Sequence, residues 1–461
     1  MLHLVTSNRY EILKARLLER LAAAPADPFL TQEVIVPSAA VKRDLQLDMA
    51  RRYGVAAGVE FPFLAEWLWQ RIAQLVPVAA VSPFAPERAA WRLFRLFQDA
   101  ELVAAHPRLA GYLAAADPVM ALDLARRVAM LFEHYLTYRP DWLEAWRRGQ
   151  PARLPGAGAR EREDEAWQMA LWQRFNADLG AASQHPGVAF FAALEALGPA
   201  GAAQAGLPAE AHVFALSTLP PLHLEMLARL ARWVDVRLYL INPCADYWYE
   251  LVADKRQTRL AVAGKAMYLD DRYPLLAAWG SQTQALFSLI LERVADASEM
   301  HGDFRASGAD TLLARFQDSL LNLAAPAAGE WSLAPDDRSI EIHVAHSLTR
   351  ALEILHDQLL DRFETDPTLG PGDVLVALPD LDAAAPLIDA VFGTAGRLPY
   401  TITGQKAVRS NPVARVLLQL LDLAAPPTRL PASQVFAVLQ EPLVATALGL
   451  DEAALEQLHE A

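Results

Sequence analysis

The sequence predicts an α/β protein with parallel sheets and a large all-helical insertion. Apolar runs of strand length alternate with amphipathic helices near the beginning of the chain and again after about residue 336, whereas strand signals disappear between about 64 and 205. Alternation of strands and helices is typical of parallel sheets, because two parallel strands need a crossover connection between them.

The first strand–helix–strand unit lies at the beginning of the chain. Apolar runs at 2–6 and 33–37 flank a helix at about 8–24. A second helix near 38–53 ends at Gly54, since glycine readily adopts the left-handed conformation that closes a helix, and residues 58–62 form a further short strand.

Residues 64–205 are predicted to be a helical insertion subdomain, rich in alanine and leucine and interrupted by breaks at 116–118, 138–140 and 151–159. Strand character returns at 212–217 and 234–241, which are joined by a helical segment at 221–232. The first α/β domain therefore comprises 1–63 and 206–335, of which 245–335 is weakly patterned.

A second α/β unit is predicted over 336–461. It has strands at 339–345 and 373–378, helices at about 348–363 and 382–392, and a strand-like segment at 398–403. Two α/β units with an insertion in the first are the layout of a motor with two RecA-like lobes. Because the chain stops at Ala461 within helical sequence, we expect the second lobe to be incomplete.

Composition limits the possible classes of protein. A chain of 461 residues exceeds one hydrophobic core, so two or three domains are expected. The net charge of −14 argues against indiscriminate coating of nucleic acid, so any DNA contact comes from local basic patches or from a more basic partner. The single cysteine excludes an intramolecular disulfide, and no signal peptide or membrane span is evident, which predicts a cytoplasmic protein.

The residues that a motor needs to bind nucleotide are absent. A phosphate loop requires glycines for close backbone approach and a lysine that neutralises the phosphates, but the turn after the first strand reads TSNR (6–9), and the first lysine is Lys14. The strand at 212–217 is not followed by the acidic pair that holds magnesium. We find neither a metal-ligating cluster nor a hydrolytic centre in the sequence, so ATP hydrolysis by this chain is not expected.

Three helices carry side chains that their own packing does not need. Trp69 lies about 120° from the apolar face of 64–76, where it would stack on a base or pack against a neighbouring helix. Arg43 projects opposite the apolar stripe of 41–52, as a solvated arginine also would. In 120–137, Glu133 lies on the stripe opposite the apolar face, where it would accept from a cytosine amino group, and Arg139 follows in the next turn.

Arginine doublets are a second source of DNA contacts. They occur at 51–52, 126–127 and 147–148. Each would supply phosphate contacts or simply form a solvated helix face.

Several segments together resemble one known family. They are TSNR (6–9), FP (61–62) followed by WLW, YLTYRPDWLEAW (135–146), LPPLHLEML (219–227), INPCADYW (241–248), PLLAAWG (274–280), HVAHSLTRALEILHDQLL (343–360), DPTLGPGDVLVALPD (366–380) and LPYTI (398–402). They resemble the RecC, or gamma, subunit of exodeoxyribonuclease V, the RecBCD enzyme, over less than half of a family-length subunit.

The resemblance implies an inactive superfamily-one helicase-like fold in a non-catalytic subunit. Such subunits bind RecB and RecD, which use the ATP and magnesium. They split the duplex at DNA ends, guide the single strands, and inspect one strand for the Chi sequence during double-strand break repair by recombination. The Chi-reading surface of the family falls near six residues of this chain: Arg43, Phe63, Trp69, Leu131, Glu133 and Arg139.

Departures from the family pattern suggest an altered Chi response. Pro37 and Ala39 stand where polar, base-reading side chains are expected, Arg43 replaces an uncharged residue, and Pro186 replaces a basic one. Our hypothesis is that this subunit reads a different Chi sequence. The alternatives are an active superfamily-one DNA helicase, which the missing phosphate-loop lysine opposes, and a helical adaptor protein without a DNA role.

Overall fold

The computed structural model divides the chain into two compact units, Met1–Ser339 and Ile340–Ala461. It describes residues 1–460 except 24–30, 79–81, 153, 155, 181–185, 199–200, 202–203, 250, 252–272, 295–297, 333, 394–395, 405–410 and 425–431. The two units are described separately.

A parallel sheet of six strands forms the centre of the first unit, as far as the described residues show. Its strands are β1 Leu2–Ser7, β2 Gln32–Ile35, β3 Val59–Glu60, β4 Glu210–Phe214, β5 Asp235–Ile241 and β6 Ser298–Gly302. Their order across the sheet is β3-β2-β4-β5-β1-β6, and every pairing is parallel. The predicted α/β class with a parallel sheet is confirmed, although β6 lies in the stretch that we describe above as weakly patterned.

Helices of the first unit connect and cover these strands. They are α1 Tyr10–Ala22, α2 Ala39–Tyr53, α3 Leu64–Leu75, α4 Pro86–Leu96, α5 Ala100–Ala104, α6 Pro107–Ala115, α7 Pro118–Tyr138, α8 Pro140–Arg147, α9 Ala159–Leu179, α10 Pro186–Ala196, α11 Pro221–Leu230, α12 Pro274–Trp279, α13 Ser281–Val294 and α14 Leu312–Leu321. Between β3 and β4, every regular element in the described residues is helical.

The predicted helix ends have clear physical causes. At the start of α2, the Ser38 hydroxyl accepts a hydrogen bond from the Val41 backbone N–H at 3.3 Å, and at its end Gly54 adopts φ 79°. The long helix α7 begins where Asp117 accepts from the Met120 backbone N–H at 2.8 Å and where Pro118 occupies the first helical position.

Two hydrophobic cores cover the two faces of the sheet. On one face, α3, α10, α11 and α13 pack against inward residues of the strands, including Leu4, Val213 and Leu238. On the other face, α1 and α2 pack against Val34 and Phe214. A third core, built from α4, α6, α7, α8 and α9, belongs to the helical region alone. Two helices of this region, α3 and α10, therefore belong to the core of the sheet.

The second unit is helical in the residues that the structure describes. Its helices are α15 Leu348–Thr365, α16 Leu381–Ile388, α17 Pro412–Ala424, α18 Ala432–Leu439, α19 Pro442–Leu448 and α20 Glu452–Glu460, with a 3₁₀ turn at Pro371–Asp373 and a π-helical turn at Asp389–Gly393. The predicted helices at 348–363 and 382–392 correspond to α15 and to α16 with its π-helical turn.

The prediction of strands at 339–345, 373–378 and 398–403 is wrong for the described residues, where no strand is assigned to these segments. An apolar alternating pattern indicates that a segment suits a sheet, but a strand forms only where its backbone pairs with a neighbour. Val344 and Leu375 of these segments are 93% and 92% exposed, so their apolar side chains are not buried in a core.

No helix in the described part of the chain combines the length and the apolar composition that crossing a membrane requires.

Candidate nucleic-acid interface

The turn after β1, where a motor holds phosphate, is hydrogen-bonded to another part of the protein. The Asn8 side-chain amide donates to the Arg305 carbonyl at 2.8 Å, and the Arg305 backbone N–H donates to Asn8 Oδ1 at 3.0 Å. The Arg9 guanidinium donates to the Ala306 carbonyl at 3.0 Å, while its backbone N–H donates to the Ser7 hydroxyl at 3.1 Å. The turn thus joins α1 to the segment that follows β6.

The carboxyl edge of the sheet gathers the starts of four described helices, which are α1, α2, α3 and α11. Ser38, Phe63 and Pro220 cap α2, α3 and α11, which follow β2, β3 and β4 respectively. In parallel α/β sheets, ligands bind outside this edge, because the connecting loops there leave a crevice. Arg43 and Trp69 lie in the second turns of α2 and α3, close to the edge, although the two helices cover opposite faces of the sheet.

Two of the predicted aromatic contacts differ in exposure. Phe63, which immediately precedes α3, is 49% exposed. Trp69 is partly buried and packs against the core on the α3 face of the sheet. Trp69 is predicted either to stack on a base or to pack against a neighbouring helix, and part of its ring is engaged in packing.

The predicted division of α7 into a buried and an exposed face is seen in the structure. Val128 and Phe132 are buried, whereas Met130 is 50% exposed and Glu133 is exposed. Leu131 is half-buried between these two faces. The Glu133 carboxylate thus faces away from the helical core.

Arg139 occupies the junction between α7 and α8. Its guanidinium lies 4.0 Å from the centre of the Trp142 ring and donates to both carboxylate oxygens of Asp141, at 3.1 and 2.9 Å. The hydrogen bond from Arg139 is the main cause that lowers the pKa of Asp141, so this carboxylate stays charged. Cation–π stacking and the bidentate bond hold the arginine in one orientation.

Ion pairs distinguish the arginine doublets from one another. Arg147 and Arg148 both donate to Glu144 at 2.8 Å, and Arg127 donates to Asp123 at 2.9 Å. By contrast, several exposed cations have no ion pair within the described residues, among them Lys42, Arg43, Arg51 and Arg126. Three of these four belong to α2.

The acidic residues of α2 are engaged elsewhere, which leaves its exposed face cationic. Lys14 of α1 lies 3.2 Å from Asp44 and 3.5 Å from Asp48, and Arg52 lies 3.3 Å from Asp48. Arg43 and Arg51 are separated by eight residues on the outward side of the helix, with the half-exposed Leu47 between them. This face is the strongest candidate for a phosphate contact in a chain of net charge −14.

Helix α11 connects the regions that carry the predicted residues. It contacts both α3, which bears Trp69, and α7, which bears Leu131 and Glu133. A cleft between α11 and the junction of α7 and α8 includes Arg139. Two other residues of that cleft, Tyr138 and Arg293, are not predicted from the sequence, because neither belongs to a sequence pattern that indicates a functional site.

Comparison with known proteins identifies the family. A family model described as the RecC N-terminal domain matches residues 2–323. The chain belongs to the RecC family. The resemblance seen in the sequence is confirmed, and the matched RecC domain contains every one of the six predicted site residues.

Known RecC proteins are similar along nearly the whole chain. RecBCD enzyme subunit RecC of Escherichia coli (strain K12) is 30% identical, with 100% of this chain and 44% of the relative aligned. The RecC subunit of Mycobacterium tuberculosis (strain ATCC 25618 / H37Rv) is also 30% identical, over 99% of this chain and 42% of the relative. The RecC subunit of Haemophilus influenzae is 27% identical, with 87% of this chain and 40% of the relative aligned. The chain spans less than half of the length of these relatives.

Proposed function

We propose that this chain is a non-catalytic subunit of a RecBCD-type ATP-dependent helicase/nuclease. In this role it splits duplex DNA ends, guides the separated strands, and recognises a Chi sequence during double-strand break repair by homologous recombination. The proposal includes RecB-like and RecD-like partners and a cytoplasmic location. Membership in the RecC family and the printed description of its relatives as RecBCD enzyme subunits support it.

One observation carries the non-catalytic part of the proposal. The turn after β1 keeps the strand–turn–helix geometry of a phosphate loop, but it contains neither glycine nor lysine and is bonded through Asn8 and Arg9 to residues 305–306. Such a turn favours an inactive superfamily-one helicase-like fold. ATP and magnesium would then act in the RecB-like and RecD-like partners.

The proposed Chi contacts combine stacking with base-edge recognition. Phe63 and Trp69 offer aromatic surface near the carboxyl edge, and bases of a single strand stack on such rings. Glu133 is an acceptor suited to the cytosine amino group, and Arg43 and Arg139 are donors suited to guanine or phosphate. Leu131 would add an apolar contact beside them.

Reconstitution tests this function. The chain would be purified with RecB-like and RecD-like proteins and given a blunt duplex with ATP and magnesium. We expect ATP-dependent unwinding by the assembly, and no ATP hydrolysis by the chain alone. Hydrolysis by the chain alone would indicate the active-helicase alternative, and assembly without salt-dependent binding to a forked duplex would indicate the adaptor.

The sequence preference is tested separately. The assembled enzyme would digest a plasmid library, and the sequences at which cleavage changes would be mapped. We expect a recognised sequence that differs from the familiar octamer, since Pro37, Ala39 and Arg43 change groups that would face bases. A response to the familiar octamer alone would contradict this hypothesis.

A further inference from the structure

A cleft of about 410 Å³ lies between the helical region and the sheet of the first unit. Tyr138, Arg139 and Asp141 line it from the junction of α7 and α8. Pro221 and Glu225 of α11 and Arg293 of α13 line the opposite side. The cleft adjoins the carboxyl edge of the sheet, because α11 begins there.

Among the residues that the structure describes, the ion pairs of the cleft involve every charged lining residue except Arg293. Asp141 binds Arg139, and Glu225 accepts a hydrogen bond from Arg229 of the next helical turn at 2.8 Å. Arg293 is exposed and forms no ion pair within the part of the chain that the structure describes. Each carboxylate of the cleft thus has an arginine partner, although Arg229 also pairs with Glu195 at 2.7 Å. The charged lining residues balance one another, and Arg293 is the lining cation without an ion pair in the described residues.

One wall of the cleft is aromatic. Tyr138 is 49% exposed, and its ring lies 6.3 Å from the ring of His134 at an interplanar angle of 85°. Pro140 and Pro221 also line the cleft, and they add apolar surface without flexible side chains. A half-exposed aromatic ring and a guanidinium thus line the same cleft, and single-strand-binding proteins use such groups for base and phosphate.

We infer that this cleft binds one nucleotide of single-stranded DNA, with Tyr138 stacking on the base and Arg293 binding a phosphate. The volume lies in the range of small-ligand sites, about 300–1,000 Å³. The inference rests on the proposed function and adds two residues to the six predicted from the sequence. The cleft includes Arg139 and therefore continues the surface on which that residue would contact the DNA strand.

The test uses the chain assembled with its RecB-like and RecD-like partners. Binding of a fluorescent single-stranded oligonucleotide is compared with binding of an oligonucleotide of equal length that contains an abasic tract. Tyr138→Leu is expected to weaken binding of the intact strand about fivefold and to leave the abasic strand unaffected. Arg293→Gln is expected to weaken binding of both strands and to lower the salt slope by about 0.7.

Matched controls come from the same helical region. Tyr112→Leu removes another exposed tyrosine, which is 42% exposed on α6, and Arg95→Gln removes an arginine of α4 already bound to Asp178. Neither control is expected to change binding. Thermal unfolding of every variant is measured as well, because a cation in the last turn of α13 also stabilises that helix.

The outcomes separate the cleft from the function on which it rests. If the assembly does not form or does not bind DNA, the proposed function fails. If it binds DNA but Tyr138→Leu and Arg293→Gln behave like their controls, the nucleotide cleft is refuted. Equal losses on intact and abasic strands for Tyr138→Leu would refute stacking. Weaker subunit assembly with unchanged DNA affinity would show a protein contact and would also overturn the inference.

Discussion

Neutralising the outward face of α2 is expected to remove two phosphate contacts. Arg43 and Arg51 are eight residues apart, which corresponds to about 12 Å along a helix. Because both guanidinium groups lack an ion pair within the described residues, their full charge is available to DNA.

The size of the effect follows from counterion release. Each phosphate contact with a single strand contributes about 0.7 to the slope of log affinity against log salt, so Arg43→Gln with Arg51→Gln lowers the slope by about 1.4. Between 50 and 200 mM salt, the ratio of wild-type to variant affinity then shrinks by about sevenfold. The difference is greatest at low salt and fades as salt rises.

Fluorescence anisotropy of the assembled complex over that salt range measures this slope. The matched control is Arg147→Gln with Arg148→Gln, which removes the same charge from two arginines that both bind Glu144. A control slope that falls as much as the α2 variant would show a general charge effect. An unchanged slope in the α2 variant would show that this face of α2 does not contact the DNA.

Three further predictions concern the stability of the first unit. Phe287→Ala is expected to lower the free energy of unfolding in urea by about 3–5 kcal/mol, because Phe287 is fully buried and stacks on another ring at 5.2 Å. Trp279→Ala is the control, and because Trp279 is 81% exposed we expect a loss of about 0.5 kcal/mol or less. Arg71→Gln is expected to cost about 3 kcal/mol, since it leaves Glu33 without the partner that lies 3.3 Å away, and adding Glu33→Gln should restore part of the loss. Burial lowers the pKa of His212 to about 4, so the unfolded chain is protonated first, and the free energy of unfolding should fall by about 3 kcal/mol between pH 6.5 and pH 4. His212→Gln should flatten this decline, and an equally steep decline in the variant would assign it to other groups.

The central strands of the sheet were predictable because burial on both faces leaves apolar runs in the sequence. Strand β6, with the sequence SEMHG, was not predictable in this way. Within the residues that the structure describes, it lies at the edge of the sheet and pairs with β1 alone, and Met300 remains 53% exposed. An edge strand can form from polar residues when a long apolar neighbour supplies the pairing.

The second unit shows the converse case. Ile342 and Val344 follow a strand pattern, but they are 86% and 93% exposed, and no strand is assigned to their segment. Alternation of apolar and polar residues indicates that a segment suits a sheet. Strand formation also depends on a backbone partner that can be far away in the sequence.

The residue types of the candidate site were predictable from the sequence, but the ion pairs between distant elements were not. Sequence spacing suggests the pair between Arg127 and Asp123, which lie one helical turn apart. The ion pair that removes Asp44 from the face of α2 comes from Lys14 on another helix, which no local pattern reveals. Likewise, Arg293 and Tyr138 line one cleft because α11 packs against both α13 and α7, which no local sequence pattern reveals.

The division of the cores defines which part of the helical region could be exchanged between RecC proteins. Helices α3 and α10 contribute Trp67, Leu68 and Phe190 to the core of the sheet, so deleting all of 64–205 would expose the sheet. Helices α4 to α9 enclose a core of their own around Phe132 and Trp172. A chimera that replaces only α4 to α9 would transfer Leu131, Glu133 and Arg139 together, within a region that has its own core. The recipient would keep its own residues at the positions of Arg43, Phe63 and Trp69.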